Sequence, residues 1–229
     1  LPEQRLGLEL ALLRGLRREL IHNAATYRPL RPVSPESPFI QRLPSWSRRW
    51  TVWAPHGAVV GLALVVLMVG TTSGNDMYPY EYDDVLGLLD TLPPMVAVLL
   101  TLVRPVAAFW CSLAGTLVVD LYCTIWTYAD DWPWLPGGLT GHLIVVTVVA
   151  LRTGPRAAAW MWVVTAVYGM AASTLLDGGY GSDVAPMLIV SAVALLIVAV
   201  WQIRSAAQQE VTAERHVSAT ERSRRTLLE

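Results

Sequence analysis

Lysine is absent from these 229 residues, so all 17 basic side chains are arginine. Charged residues make up only 15% of the chain, against about 25% in an average soluble domain. Such a composition does not suit a surface wetted on all sides. Cysteine occurs twice. Cys111 and Cys123 fall in one predicted helix, about 18 Å apart along its axis, so they cannot pair with each other. No CxxC or Cys/His metal pattern is present. The four histidines, His22, His56, His142 and His216, are scattered one to a region. There is no P-loop, no HExxH and no nucleophile elbow. A secretory signal peptide is not expected in the opening stretch, because charges interrupt its apolar run and no small-residue cleavage site follows it.

Hydrophobic residues account for 54% of the sequence. Apolar runs long enough to cross a bilayer recur several times, which predicts an all-α, polytopic membrane protein. Three regions follow: 1–50, an N-terminal amphipathic helix and a Pro-rich linker; 51–203, a transmembrane domain of about six helices; and 204–229, a charged helix beyond the membrane. In residues 1–21, leucines 6, 10, 13, 16 and 20 recur at helical spacing. Their opposite face is basic, suited either to anionic headgroups or to packing on another element. Residues 28–45 hold five prolines and read as a loop. Trp46, Trp50 and Trp53 surround Arg48 and Arg49, an interfacial anchor before a span.

The predicted spans are about 54–72, 85–103, 105–126, 139–151 (starting as early as Pro136), 157–176 and 187–203. Gly57 and Gly61 form a GxxxG in the first, which suits close helix packing. Pro93 and Pro94 in the second should kink it unless neighbours satisfy the freed carbonyls. Merging residues 93–119 into one span would bury Arg104 near the bilayer centre, at roughly 2.5–3.5 kcal/mol on insertion scales. Two spans with Arg104 at the turn avoid that cost. With six spans, Arg48, Arg49, Arg104, Arg152, Arg156 and Arg204 all fall on one side. The loops carrying Asp76, Glu81, Asp83, Asp84, Asp130, Asp131, Asp177 and Asp183 fall on the other. The positive-inside rule then puts both termini in the cytoplasm.

After Pro186 neither glycine nor proline occurs, so nothing local stops the last helix at the membrane surface. From Pro186 to Glu229 a continuous helix would be about 65 Å long at 1.5 Å per residue. Beyond Arg204 the spacing of Ala207, Val211 and Val217 is loosely heptad-like, with small residues making any coiled coil weak. A weak seam suits a switch between two packings.

The segment AERHVSATERSRRTLLE, following several short spans, resembles the juxtamembrane linker of bacterial sensor histidine kinases of the NarL/DesK-like class, especially actinobacterial ones. The resemblance implies a homodimeric membrane input module in the bacterial plasma membrane. It also implies a downstream autokinase, using ATP and Mg, that serves a response regulator. None of that catalytic part lies in these residues. His216, in Glu-Arg-His-Val, does not match the family's phosphoacceptor motif, and no cofactor site is expected here. Arg204, Val211 and Val217 mark the relay helix. No nucleic-acid partner is expected; the bilayer itself is the expected surrounding.

Candidate sensing residues are acids and one histidine at the acidic end of the spans. Asp90 and Asp120 lie near the outer ends of neighbouring spans, where an acid is a functional-site candidate by default. His142, in the outer part of the fourth span, is either a pH sensor or a core histidine with hydrogen-bonded partners. Asp83, Asp84, Asp130 and Asp131, beside tyrosines and tryptophans, suit a cation or a cationic amphiphile. A solvated loop with an aromatic belt accounts for the same residues. A small transporter or permease-like subunit with a partner-binding C-terminal helix is the alternative function, although no repeat symmetry or charged path supports it.

Overall fold

The computed structural model describes residues 14–15, 17–22, 30, 32–34, 36, 38–77, 84–127, 134–175 and 184–226. Among them helices are joined by turns and short irregular segments, and no strand occurs. A π-helical turn, Arg18–His22, comes first. Then follow α1 (Pro38–Gln41), α2 (Ser45–Val52), α3 (Ala54–Met77), α4 (Asp84–Leu100), α5 (Pro105–Tyr122, prolonged by a π-helical turn Cys123–Thr127), α6 (Pro136–Arg152), α7 (Pro155–Leu175) and α8 (Val184–Thr226). Among the described residues four stretches are long and apolar enough to cross a membrane: Ala54–Thr72, Pro105–Ile125, Pro155–Leu175 and Val184–Ser205. α6 is a shorter apolar helix.

Proline sets several of these boundaries. Pro105 and Pro136 stand in the first turn of α5 and α6, and Pro155 opens α7. There the missing N–H costs nothing and φ is already helical. Pro55, second in α3, withholds the N–H that Thr51 would need four residues on. The Val52 carbonyl is accordingly taken by Val33 N at 2.9 Å, and His56 N turns to Trp53 O at 3.0 Å. α2 and α3 are therefore separate helices.

α6 is the centre of the bundle, packing against α3, α4, α5, α7 and α8. Its buried positions, among them Gly137, Gly141, His142, Val145, Val146, Val149 and Ala150, run around more than one face. The main core joins Val66 of α3, Val98 of α4, Phe109 of α5, Val149 of α6, Met161 of α7 and Leu195 of α8. Outside this core, Val60, Leu64, Met68, Ile189, Leu196 and Ile197 stay exposed, as expected of helices whose outward faces meet lipid rather than water.

The structure changes some sequence expectations and decides points that others left open. Pro93 and Pro94 lie inside a helix that continues to Leu100, and each ring fills the space above a glycine. A Cβ on Gly115 would lie 2.9 Å from Pro93 Cβ, and one on Gly141 would collide with Pro94 Cβ. Gly57 and Gly61 do not serve packing within this chain, since nothing lies within 4 Å of a Cβ built at either. Residues 28–45 contain the short α1. The π-helical turn at Arg18–His22 packs on α7, with Leu20 in the core and its carbonyl accepting Trp110 Nε1–H at 3.3 Å. Arg104 is exposed and N-caps α5 after a turn at 101–103, so residues 93–119 do not form one helix.

Candidate functional site

Several buried polar side chains, among them Asp90, Ser112, Thr116, Asp120, His142 and Thr165, gather around the first half of α6. The start of α6 is unusual in its cap. Leu135, the residue before Pro136, offers no side-chain cap. The acceptor comes instead from α4: Asp90 takes Gly137 N–H at 3.0 Å on one carboxylate oxygen and Gly138 N–H at 2.6 Å on the other. Asp90 is 0% exposed. The first turn of a helix presents free N–H groups and the positive end of its macrodipole, which is where a buried carboxylate is best accommodated. Glycine is required for the approach, because a Cβ on Gly137 would lie 2.5 Å from the Asp90 carbonyl oxygen.

One turn further along α6, His142 is also fully buried. Its Nδ1 pairs with Ser112 Oγ of α5 at 2.9 Å, and its Nε2 with Thr165 Oγ1 of α7 at 3.0 Å. One ring nitrogen donates and the other accepts, so the three side chains form a chain of hydrogen bonds across α5, α6 and α7. Phe109 and Trp134 flank the imidazole, with ring centroids 5.9 and 6.5 Å away.

Asp120 of α5 is buried and accepts a short hydrogen bond from the Tyr168 hydroxyl of α7. Trp134 lies edge-on to Tyr168 at 5.5 Å, and its benzo ring occupies the space a side chain on Gly169 would take. The indole Nε1 of Trp134 is buried and finds no hydrogen-bond partner among the described residues. Between these groups lies a cavity of about 10 Å³ lined by Ser112, Thr116, Trp134 and Gly138 among others, close to the size of a single water.

The opposite end of the bundle is fastened by two donors. Arg152, last in α6, donates to the Thr101 carbonyl just past α4. Gln202 of α8 donates to the Ala150 and Thr153 carbonyls at 2.7 and 3.1 Å, which satisfies acceptors at the C-terminus of α6. α4, α6 and α8 thus run in the same direction, and α6 is held at its start by α4 and at its finish by α8.

Among the residues the sequence singled out, Asp90, Asp120 and His142 come together here, though each bonds a different partner. Asp84 is exposed at the first position of α4. Asp83, Asp130 and Asp131 lie outside the described residues. Arg204 is exposed on α8, beside the outward apolar face of Val193, Leu196, Ile197, Val200 and Trp201. Val211 and Val217 lie on the same helix. Among the described residues no group of three His, Cys, Asp or Glu side chains is arranged to hold a metal. Both nitrogens of His142 meet hydroxyls and not a carboxylate, so the geometry orients helices and does not resemble a hydrolytic triad.

Sequence reasoning missed Ser112, Thr165, Tyr168 and Gln202. One signal was available for the first: Ser112, Thr116 and Asp120 recur every four residues, which places three polar groups on one stripe of an otherwise apolar helix.

No known family, no curated protein and no solved structure matches this chain. The class is defined by the structure alone: the described residues fold as helices without strands, and four long apolar helices among them point to a membrane protein.

Proposed function

We propose that this chain is the membrane input module of a two-component sensor histidine kinase. The observation that carries the reading is α8. It continues without a break from its apolar stretch, Val184–Ser205, to Thr226. At 1.5 Å per residue its 43 residues span about 65 Å, twice the roughly 30 Å hydrocarbon thickness. A helix that does not stop at the bilayer surface transmits tilt or rotation of its buried half to whatever follows it.

In this reading α3 to α8 are six spans, both termini are cytoplasmic, and the membrane is a bacterial plasma membrane. The module works as a homodimer. Asp90, His142 and Asp120 lie where a stimulus at the acidic end of the spans would act, and α6 links that end to Gln202 on α8. Arg204, Val211 and Val217 belong to the relay. The autokinase, with its ATP, Mg and response regulator, is a separate catalytic part downstream.

The test uses membranes carrying the full chain with Cys111 and Cys123 replaced by serine and single cysteines placed at Val211 or Val217. Oxidation is expected to yield disulfide-linked dimers. A strictly monomeric product at both positions overturns the relay. Reporter fusions at each terminus check the orientation, and an exported terminus at either end contradicts it.

A further inference from the structure

α2 is amphipathic the wrong way round for a helix in water. Trp46 and Trp50 are 77% and 78% exposed, and Trp53, which closes the helix, is 55% exposed. At about 3.6 residues per turn these three indoles share one narrow face. Only two of its polar side chains are partly covered instead. Ser47 and Thr51 are half-buried, and Ser47 Oγ bonds the Pro44 carbonyl at 3.0 Å. The Arg48 guanidinium folds back onto the Leu43 and Gln41 carbonyls at 2.8 and 2.6 Å. Arg49, exposed, flanks the indole face, and no acidic residue occurs in the helix.

What covers this face follows from where it stands. α3, one of the four helices able to cross a membrane, begins at Ala54, directly after Trp53. α2 is therefore tethered at the bilayer boundary with no linker to carry it away. The Pro55 break described above frees it from continuing the direction of the span. Indole rings favour this depth, with an apolar body in the acyl boundary and an N–H at the headgroups.

We propose that α2 is a surface-lying membrane helix, separate from the span it precedes, with Trp46, Trp50 and Trp53 seated in the headgroup–acyl boundary and Arg49 level with the lipid phosphates. The partner is the lipid surface itself. The proposal does not depend on the signalling role.

Site-directed spin labelling tests it on the full chain in vesicles of phosphatidylcholine and phosphatidylglycerol. Cys111 and Cys123 are first replaced by serine. Labels are placed singly at Trp46, Trp50 and Glu36, the last an exposed position in the preceding linker. Accessibility to oxygen, which concentrates in lipid, is compared with accessibility to a water-soluble nickel chelate. The expected result is high oxygen and low nickel access at Trp46 and Trp50, with the reverse at Glu36. High access to nickel at Trp46 and Trp50 would show a helix in water, and low access to both probes would show a protein partner or a second copy. Either result overturns the proposal. Because both side chains point outward, the labels leave the fold intact.

Discussion

The pyrrolidine ring of Pro94 occupies the space that a side chain on Gly141 would need. A proline inside α4 thus faces a glycine on α6, and Pro93 faces Gly115 in the same way. Removing the ladder hydrogen bond at each proline is offset by a close helix–helix approach that only glycine permits.

Gly141→Ala is therefore expected to destabilise the bundle by about 1–3 kcal/mol, the usual range for overpacking a tight core. Thermal unfolding in detergent measures it as a lowered Tm. Gly57→Ala, where nothing lies within 4 Å of the new Cβ, provides the contrast. It should leave Tm unchanged or raise it, since alanine is favoured over glycine in a helix by up to about 1 kcal/mol. Equal losses at both positions would contradict the Pro94–Gly141 packing.

Asp90 predicts a graded series. Asp90→Ala strips Gly137 and Gly138 N–H of their acceptor inside the protein, a loss of about 1–3 kcal/mol for each buried group left unpaired. Asp90→Asn keeps one acceptor oxygen and turns an amide toward the other N–H, so it should fall between the wild type and Asp90→Ala. Amide hydrogen exchange at Gly137 and Gly138 should quicken in the same order. Unchanged exchange in Asp90→Ala would remove the cap from the account.

The chain Ser112–His142–Thr165 should behave as a unit. Ser112→Ala and Thr165→Val each remove one partner of the imidazole. Once either is gone, losing the other leaves less to break, so the double variant should cost less than the sum of the singles. A coupling of about 0.5–3 kcal/mol in a double-mutant cycle is expected for groups in one network. Strict additivity would mean that His142 does not join the two hydroxyls.

At the other end, Gln202→Ala should loosen α8 from α6 with a loss of about 0.5–1.5 kcal/mol. Gln202→Glu should be worse, because an ionised carboxylate has no proton to donate and faces the negative end of the α6 dipole. A spin label at Ala207, an exposed position shortly after Gln202, should gain mobility in both variants, more so in Gln202→Glu. If the label does not respond, Gln202 does not fasten the helix.

Much of the helical frame was legible because its causes are local. Apolar run length marked α3, α5, α7 and α8, and the prolines at 105, 136 and 155 marked starts. The absence of glycine and proline after Pro186 anticipated the unbroken α8. The break at Pro55 was not read from the sequence, and the diversion of the Val52 carbonyl to Val33 required the fold. The candidate site was legible as residue types and not as pairs. Asp90, Asp120 and His142 stood out as polar groups in apolar helices. Their partners are set by how each helix is rotated about its axis, which a near-uniform apolar sequence does not encode. Gly137 and Gly138 looked like loop residues, yet they are the donors that hold Asp90. Gln202 fell at the end of the last predicted span with no partner assigned, and it caps α6.

The middle helix of the bundle has 17 residues, about 26 Å at 1.5 Å per residue, less than the roughly 30 Å of a hydrocarbon core. Alone in lipid, α6 would leave both its first N–H groups and its last carbonyls without water. Asp90, translated earlier, is already waiting for the former. The donor for the latter, Gln202, leaves the ribosome some fifty residues after Arg152. Until the last helix is in place, the Ala150 and Thr153 carbonyls lack the side-chain donor that they have in the folded bundle.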